Sequence, residues 1–258
     1  MRSAAESSSP VVSTTEWRVR VELAAAHRIA NMHGFNEGIF NHFTVNVPGK
    51  PGRFYVIPFG LHWSEAKAGH MLEVDFDGNV VAGEGECERS AFCIHAPIHK
   101  LNPDAICVFH THMPYASAFT RIENGRLEPT GQTEAGMASM SGYDDIYTGL
   151  ALDPEEGARL AGVLGNKKIL FMANHGVLVI GKSIAETYDR LYYLERACQV
   201  QMLAMATGRP LKKLPQAVID RTIEQFRTAP KYGSRPAYEH HFDALMRVID
   251  KSGTDYKN

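Results

Sequence analysis

Only four cysteines occur in the 258 residues, Cys87, Cys93, Cys107 and Cys198. Their spacing matches no zinc motif and no disulfide framework of a secreted domain, so they read as reduced thiols of a cytoplasmic protein. No apolar run approaches the roughly 18 residues needed to span a bilayer. The opening MRSAAESSSPVVSTTEW lacks the apolar core of a signal peptide, and Glu6 with few basic residues speaks against a transit peptide. Charge of one sign is missing too: 27 basic and 29 acidic side chains leave a net charge of −2. That balance excludes the electrostatic footprint of a nucleic-acid partner and the basic block of a membrane-surface protein. A small anionic substrate must then be attracted locally, by a metal ion or a few arginines.

The chain has neither an internal repeat nor an obvious linker, and its length suits one large α/β domain. Residues 1–12 read as a disordered, Ser-rich lead, with a single domain over 13–258. Ser13 and Glu16 form a capping-box signature for a helix reaching about Met32. HFTVNVPG and RFYVIPFG alternate in hydrophobicity and are split by Pro-Gly pairs, as a hairpin requires. LEVDFDGNVVAG repeats the device around Asp77-Gly78. A helix is predicted from about Ser90 to Leu101, kinked or shortened by Pro97. A strand over Ala105–Phe109 runs into His-Thr-His, and a short helix covers Pro114 to Phe119.

The stretch Arg121–Gly149 is Gly-rich and gives no clear period. Asp153-Pro154-Glu155-Glu156 is a strong helix start. KKILFMA and GVLVI flank Asn174-His175-Gly176 as strands, and a long helix follows over about Ser183–Ala206. The tail, about 211–258, reads as helical with a break near Pro230 to Pro236. Interleaved strands and helices with several hairpins predict a layered α/β domain whose central sheet is mixed or largely antiparallel.

His110 and His112, two apart at a strand end, share a face by the period-two rule and can reach one cation at about 2.0–2.1 Å. His175 follows a second apolar run and precedes Gly176, which permits close backbone approach. Three imidazoles leave coordination positions open, as catalytic metals require. On spacing alone, a His-x-His pair is compatible with a metal site or with incidental placement.

The runs LNPDAICVFHTHMPYASAF (101–119), DPEEGARLAGVLGNKKILFMANHGVLVIG (153–181) and ETYDRLYYLERACQVQ (186–201) resemble the class II aldolase/adducin-domain superfamily. GIFNHFTVNVPG and IPFGLHW are weaker matches, and together the likeness covers roughly residues 15–210. The resemblance implies a three-layer α/β/α sandwich, a divalent metal on His110, His112 and His175, and a homotetramer with active sites at subunit interfaces.

Where the chain departs from the family it becomes more specific. The family's Pro-Ser-Ser-Glu, whose glutamate is the catalytic acid/base, falls without gaps on Glu88-Arg89-Ser90-Ala91. Loss of a positioned base costs about 10²–10⁴ in rate, which disfavours sugar-phosphate cleavage unless Glu86 or Glu88 substitutes. The phosphate-binding Thr-Pro-Ser-Gly falls on Ile57-Pro58-Phe59-Gly60. An apolar wall with one guanidinium, Arg89, suits a flat carboxylated ring, although Arg89 also reads as a solvated helix-start residue. Decarboxylation needs no base to begin, only a proton donor to finish. His95 and Tyr115 are candidate donors, His95 reading also as a core or surface histidine.

Substrate contacts are expected from Phe59, Ser90, Ala91, Tyr232 and His241, the last two across a subunit boundary. The resemblance is thus to the superfamily's decarboxylase branch, acting on hydroxylated aromatic or pyridine dicarboxylates such as 3-hydroxy-2-methylpyridine-4,5-dicarboxylate from vitamin B6 breakdown. It implies Mn2+ or Zn2+, with Fe2+ as a further option. Alternative readings are a class II aldolase, a non-haem iron oxygenase on the same site, and an adducin-like interaction module without catalysis.

Overall fold

The computed structural model describes residues 14–228 and 233–258. The Ser-rich lead, Ser13 and Tyr232 lie outside them. An N-terminal helix, α1 (Thr14–Met32), precedes two antiparallel hairpins, β1 (His42–Asn46) with β2 (Arg53–Val56) and β3 (Leu72–Asp75) with β4 (Val80–Ala82). These are the segments whose alternation predicted strands. The chain continues through α2 (Arg89–Leu101), β5 (Cys107–Thr111) and α3 (Pro114–Phe119). The segment without a clear period holds α4 (Gln132–Met140) and β6 (Ser141–Asp144). After α5 (Pro154–Leu164) come β7 (Ile169–Met172), β8 (Val177–Gly181), α6 (Ile184–Met205), α7 (Gln216–Thr228) and α8 (Ala237–Asp250).

The eight strands form one sheet in the order β4-β3-β2-β1-β5-β8-β7-β6. Every neighbouring pair is antiparallel except β6 and β7. Side-chain alternation divides β5 between two layers. Cys107 and Phe109 join the core beneath α1, α3, α6 and α8. Val108 joins Ile94, Ile98, Leu160 and Leu164 beneath α2 and α5. Helices therefore cover both faces, and the molecule is a three-layer α/β/α sandwich. Among the described residues no helix is long and apolar enough to cross a membrane.

Helix ends follow local chemistry. The Asp153 side chain accepts from Glu156 N–H at 3.0 Å, with Pro154 at the first helical position. Ser183 caps α6 in the same way. Pro97, expected to kink or shorten its helix, does not shorten α2, which continues to Leu101. Its missing N–H leaves the Cys93 carbonyl without the usual helical donor, and α5 packs closely on that carbonyl through Gly157. A Cβ built on Gly157 would lie 2.0 Å from Cys93 O and 2.9 Å from Pro97 Cγ.

Between sheet and helices lie several fully buried imidazoles. His27 packs against Phe43 and Trp63. His95 and His99, from α2, reach the Thr44 hydroxyl at 2.7 and 2.8 Å. Burial, which disfavours the charged form, lowers His27 and His99 to about 4 and His95 well below its ordinary value.

Two outcomes are expected. Gly157→Ala gains helix propensity but overpacks the α2–α5 contact, and should destabilise the protein by about 1–3 kcal/mol; an unchanged urea midpoint would contradict this packing. The second concerns acid. The unfolded chain binds protons on these histidines below about 6.5 while the folded chain resists them down to about 4. Their neutral forms stabilise the fold above 6.5, and that contribution drains away as pH falls through the interval, by up to about 1.4 kcal/mol per pH unit for each group. Urea midpoints of the metal-free protein at pH 7.5, 6 and 5 should fall steeply; a flat profile would refute it.

Candidate metal centre

His110 stands one residue from the end of β5, where strand alternation turns it to the α2–α5 side with Val108. His112 lies just beyond the strand, and His175 occupies the β7–β8 turn. The three rings close on one another, with centroid separations of 4.9, 4.7 and 4.9 Å. One nitrogen from each can be chosen so that all lie within 4.8 Å of one another. Gly176 makes the approach possible. A Cβ there would meet His112 Cδ2 and Thr111 O at 2.6 Å and His110 Cε1 at 3.2 Å. The turn itself is tied down: Asn174 N donates to Thr120 O at 2.8 Å, and Arg121 donates to the His175 carbonyl at 3.0 Å.

Tautomers follow from partners that can only accept. His110 Nδ1 must donate to the Val177 carbonyl, 2.9 Å away, and His112 Nδ1 to the Glu37 carboxylate. With both rings in their neutral form each is left with a lone pair on Nε2, and these two nitrogens face each other at 3.1 Å. Two lone pairs in that position repel unless a cation lies between them. A proton is opposed by burial and the neighbouring imidazoles, which hold His110 well below its ordinary value and His175 at about 4. Neutral nitrogens converging on one point are the donor set a divalent metal requires. The residues fit the ion.

Behind His110 lies a chain of polar groups that sequence reasoning did not find. His42, opposite His110 in the β1–β5 ladder, packs its ring 5.1 Å from it. His42 Nδ1 lies 2.9 Å from His95 Nε2, His95 Nδ1 2.7 Å from Thr44 Oγ1, and Thr44 Oγ1 2.8 Å from His99 Nε2. His99 Nδ1 ends the chain on the Ala105 carbonyl at 2.6 Å. At the other end, His42 Nε2 is 3.2 Å from Glu88 Oε2 and from Ser90 Oγ. Burial raises the Glu88 carboxyl, but hydrogen bonding and charge attraction from His42, with the Ser90 donors, outweigh it and hold Glu88 at about 2. So acidic a carboxyl is a weak base.

The remaining predicted residues fall in different places. His95 is fully buried within that chain, with neither ring nitrogen facing the triad. Ala91 is also fully buried and packs with Phe54, Val56, Leu72 and Val74, so it points into the sheet rather than toward a substrate. The reason is helical phase: Ser90, one residue earlier, turns toward His42. Arg89 starts α2, its Nε donating to the Leu152 carbonyl at 2.7 Å. Phe59 is exposed, with its ring 6.1 Å from Phe40. Tyr115 packs against the core on the α3–α6 side, its N–H donating to Glu195. His241, on α8, pairs with Asp189 at 2.8 Å and packs on Tyr192, away from the triad within this chain.

Tyr147, absent from the sequence expectations, brings its ring to 6.5 Å from His175 and is half exposed. The space enclosed between it, Glu156 and His175 is only about 10 Å3. A larger cavity of about 450 Å3 lies across the β7–β8 turn against Arg121 and Tyr143, without the three histidines in its wall.

Comparison with known proteins agrees with this architecture. A Pseudomonas aeruginosa protein, named provisionally as an aldolase class 2 protein, is 34% identical over 251 residues, covering 95% of this chain and 94% of its own. The crystal structure of an aldolase II superfamily protein from Pseudomonas syringae is 35% identical with a TM-score of 0.88, over 96% of this chain and 98% of that one. L-fuculose 1-phosphate aldolase from Glaciozyma antarctica PI12 is 25% identical with a TM-score of 0.83, over 98% and 97%. The sequence profile of the Class II Aldolase and Adducin N-terminal domain matches residues 21–202. Sequence, fold and the histidine cluster agree, and the chain belongs to the class II aldolase and adducin N-terminal domain family.

Proposed function

We propose that the chain is a divalent-metal-dependent carbon–carbon lyase, and specifically a decarboxylase of a hydroxylated aromatic or pyridine dicarboxylate. The observation that carries the metal reading is the 3.1 Å approach of two Nε2 atoms whose rings both donate through Nδ1. His110, His112 and His175 would hold the ion. When bound, a divalent cation supplies Lewis-acid stabilisation of negative charge on the substrate. Imidazole donors suit Mn2+, Zn2+ or Fe2+ and do not choose among them.

The choice of decarboxylation rests on the carboxylates. Glu88 is the acidic group near His42 and Ser90, and at about 2 it is a poor acceptor for a substrate proton. Ala91, where the family's glutamate aligns, is buried in the sheet. A reaction that starts by releasing CO₂ needs no such acceptor. Arg89, at the start of α2, supplies a guanidinium for a second carboxylate, with 3-hydroxy-2-methylpyridine-4,5-dicarboxylate as the favoured substrate. The aldolase reading is second, and the similarity to L-fuculose 1-phosphate aldolase favours it.

We further propose a homotetramer with interfacial active sites. The enclosed space against His175 is far too small for a substrate. Exposed Ile146, Tyr147, Leu150 and Leu152 lie on the loop that brings Tyr147 beside His175. A neighbouring subunit covering this apolar loop would both bury it and complete the pocket.

Purified protein should carry about one divalent ion per chain, by the three-ligand count of a catalytic site, and His110→Ala should lose both the ion and turnover. Elemental analysis decides this; folded wild-type protein that contains no metal and takes none up would overturn it. The reaction is tested by anaerobic incubation with the pyridine dicarboxylate, where CO₂ release is expected. No gas there, with an aldehyde formed from a hydroxy-keto substrate, would transfer the assignment to aldolase. Turnover that requires oxygen would transfer it to an iron oxygenase.

A further inference from the structure

The turn between α1 and β1 grips His112 at two points. The Asn41 side chain accepts the His112 backbone N–H at 3.1 Å, and the Glu37 carboxylate accepts its ring Nδ1–H. The turn is shaped for this. Glu37 and Phe40 form a bridged pair, with Phe40 N donating to Glu37 O at 3.0 Å. Asn41 adopts a φ of 71°, a left-handed conformation that costs a non-glycine residue energy, and its side chain is buried against the centre. Asn36 steadies the near side through His62 at 3.3 Å.

Glu37 itself is largely exposed, with 62% of its side-chain surface open to solvent. A pair at the surface adds little to stability, on the order of 0–1 kcal/mol. Its geometric consequence is larger. His112 follows the end of β5, so no ladder holds its ring, and an imidazole on a strand terminus can present either nitrogen. The neighbouring ligand has a different arrangement, since His110 is oriented by the neutral Val177 carbonyl. The ring nitrogens of His175 have no protein hydrogen-bond partner among the described residues. His112 is thus the one member of the triad whose ring is oriented by a charged group.

We propose that Glu37 is a positioning residue of the metal centre. Its carboxylate holds His112 in the Nδ1–H tautomer, aims Nε2 at the ion and raises the basicity of that nitrogen. The assignment rests on the metal reading above. Partners of this kind typically contribute about 10–100-fold in metal affinity.

The test is competition for Mn2+ and Zn2+ against a chromophoric chelator, on full-length wild type, Glu37→Gln and Glu37→Ala. Dissociation constants should rise in that order. The alanine variant should be weakened about 10–100-fold and the glutamine variant less, because its neutral amide oxygen still accepts the Nδ1–H. Melting temperatures of the metal-free proteins should coincide, as expected for an exposed side chain. The visible spectrum of the Co2+-loaded glutamine variant should match wild type, since no coordinating atom has been removed. Equal affinities across the three proteins would overturn the assignment while leaving the metal reading intact. Equal losses in both variants with an altered Co2+ spectrum would also overturn it, making Glu37 a direct ligand. Wild-type protein that binds neither ion would sink the metal reading and Glu37's role with it.

Discussion

Two imidazole Nε2 atoms held 3.1 Å apart, opposed lone pairs when both rings are neutral, organise this site. The arrangement is unfavourable until a cation lies between them, and two separate parts of the chain, the β7–β8 turn and the segment before β1, maintain it. The Val177 carbonyl dictates the tautomer of His110, and the Glu37 carboxylate dictates that of His112. Gly176 removes the side chain that would collide with both rings. Under the proposed metal reading an ion would relieve that repulsion, while burial holds His110 well below its ordinary value and so opposes a proton there.

The sheet makes that repulsion affordable. His110 and His42 are direct partners across the β1–β5 ladder, so the rigid centre of the sandwich lies under the site. Polar groups beneath them are satisfied in sequence through His95, Thr44 and His99 to the Ala105 carbonyl. A fully paired buried chain of this kind fixes ring orientations that apolar packing would leave loose. It also binds α2 to the sheet and brings the Glu88 and Ser90 end of that helix toward His42, beside the histidine triad. The ends of β5 and the β7–β8 turn then present the triad at the rim, where solvent or another subunit can reach it.

The same geometry separates two roles for acidic groups. Glu88 is hydrogen-bonded by Ser90 and His42 and held at about 2, which suits it to anchoring His42 and not to taking a proton. Glu37 is exposed and acts through the imidazole it touches. Glu88 therefore differs from a carboxyl poised for general base catalysis, whose pKa should lie near the working pH. That division is what turns the reading from aldol cleavage toward loss of CO₂.

Local signals in the chain were sufficient wherever the physics was local. Alternation around Pro-Gly and Asp-Gly pairs marked both hairpins, Asp153-Pro154 marked the start of α5, and the apolar runs before His110 and around His175 marked the strands that carry the triad. Tertiary structure decided what depends on partners distant in sequence. Segment 121–149 hides β6 because its four residues pair in parallel with β7, more than twenty residues later, and show no alternation of their own. Glu37 lies 75 positions from His112, and nothing in its own neighbourhood points to a metal. Ala91, expected in the pocket, and His99, which has no role legible in the sequence, acquire their meanings only from the face of α2 on which they fall. Residue type and spacing determined which nitrogens were available for an ion; hydrogen-bond acceptors brought in by folding determined which of them face it.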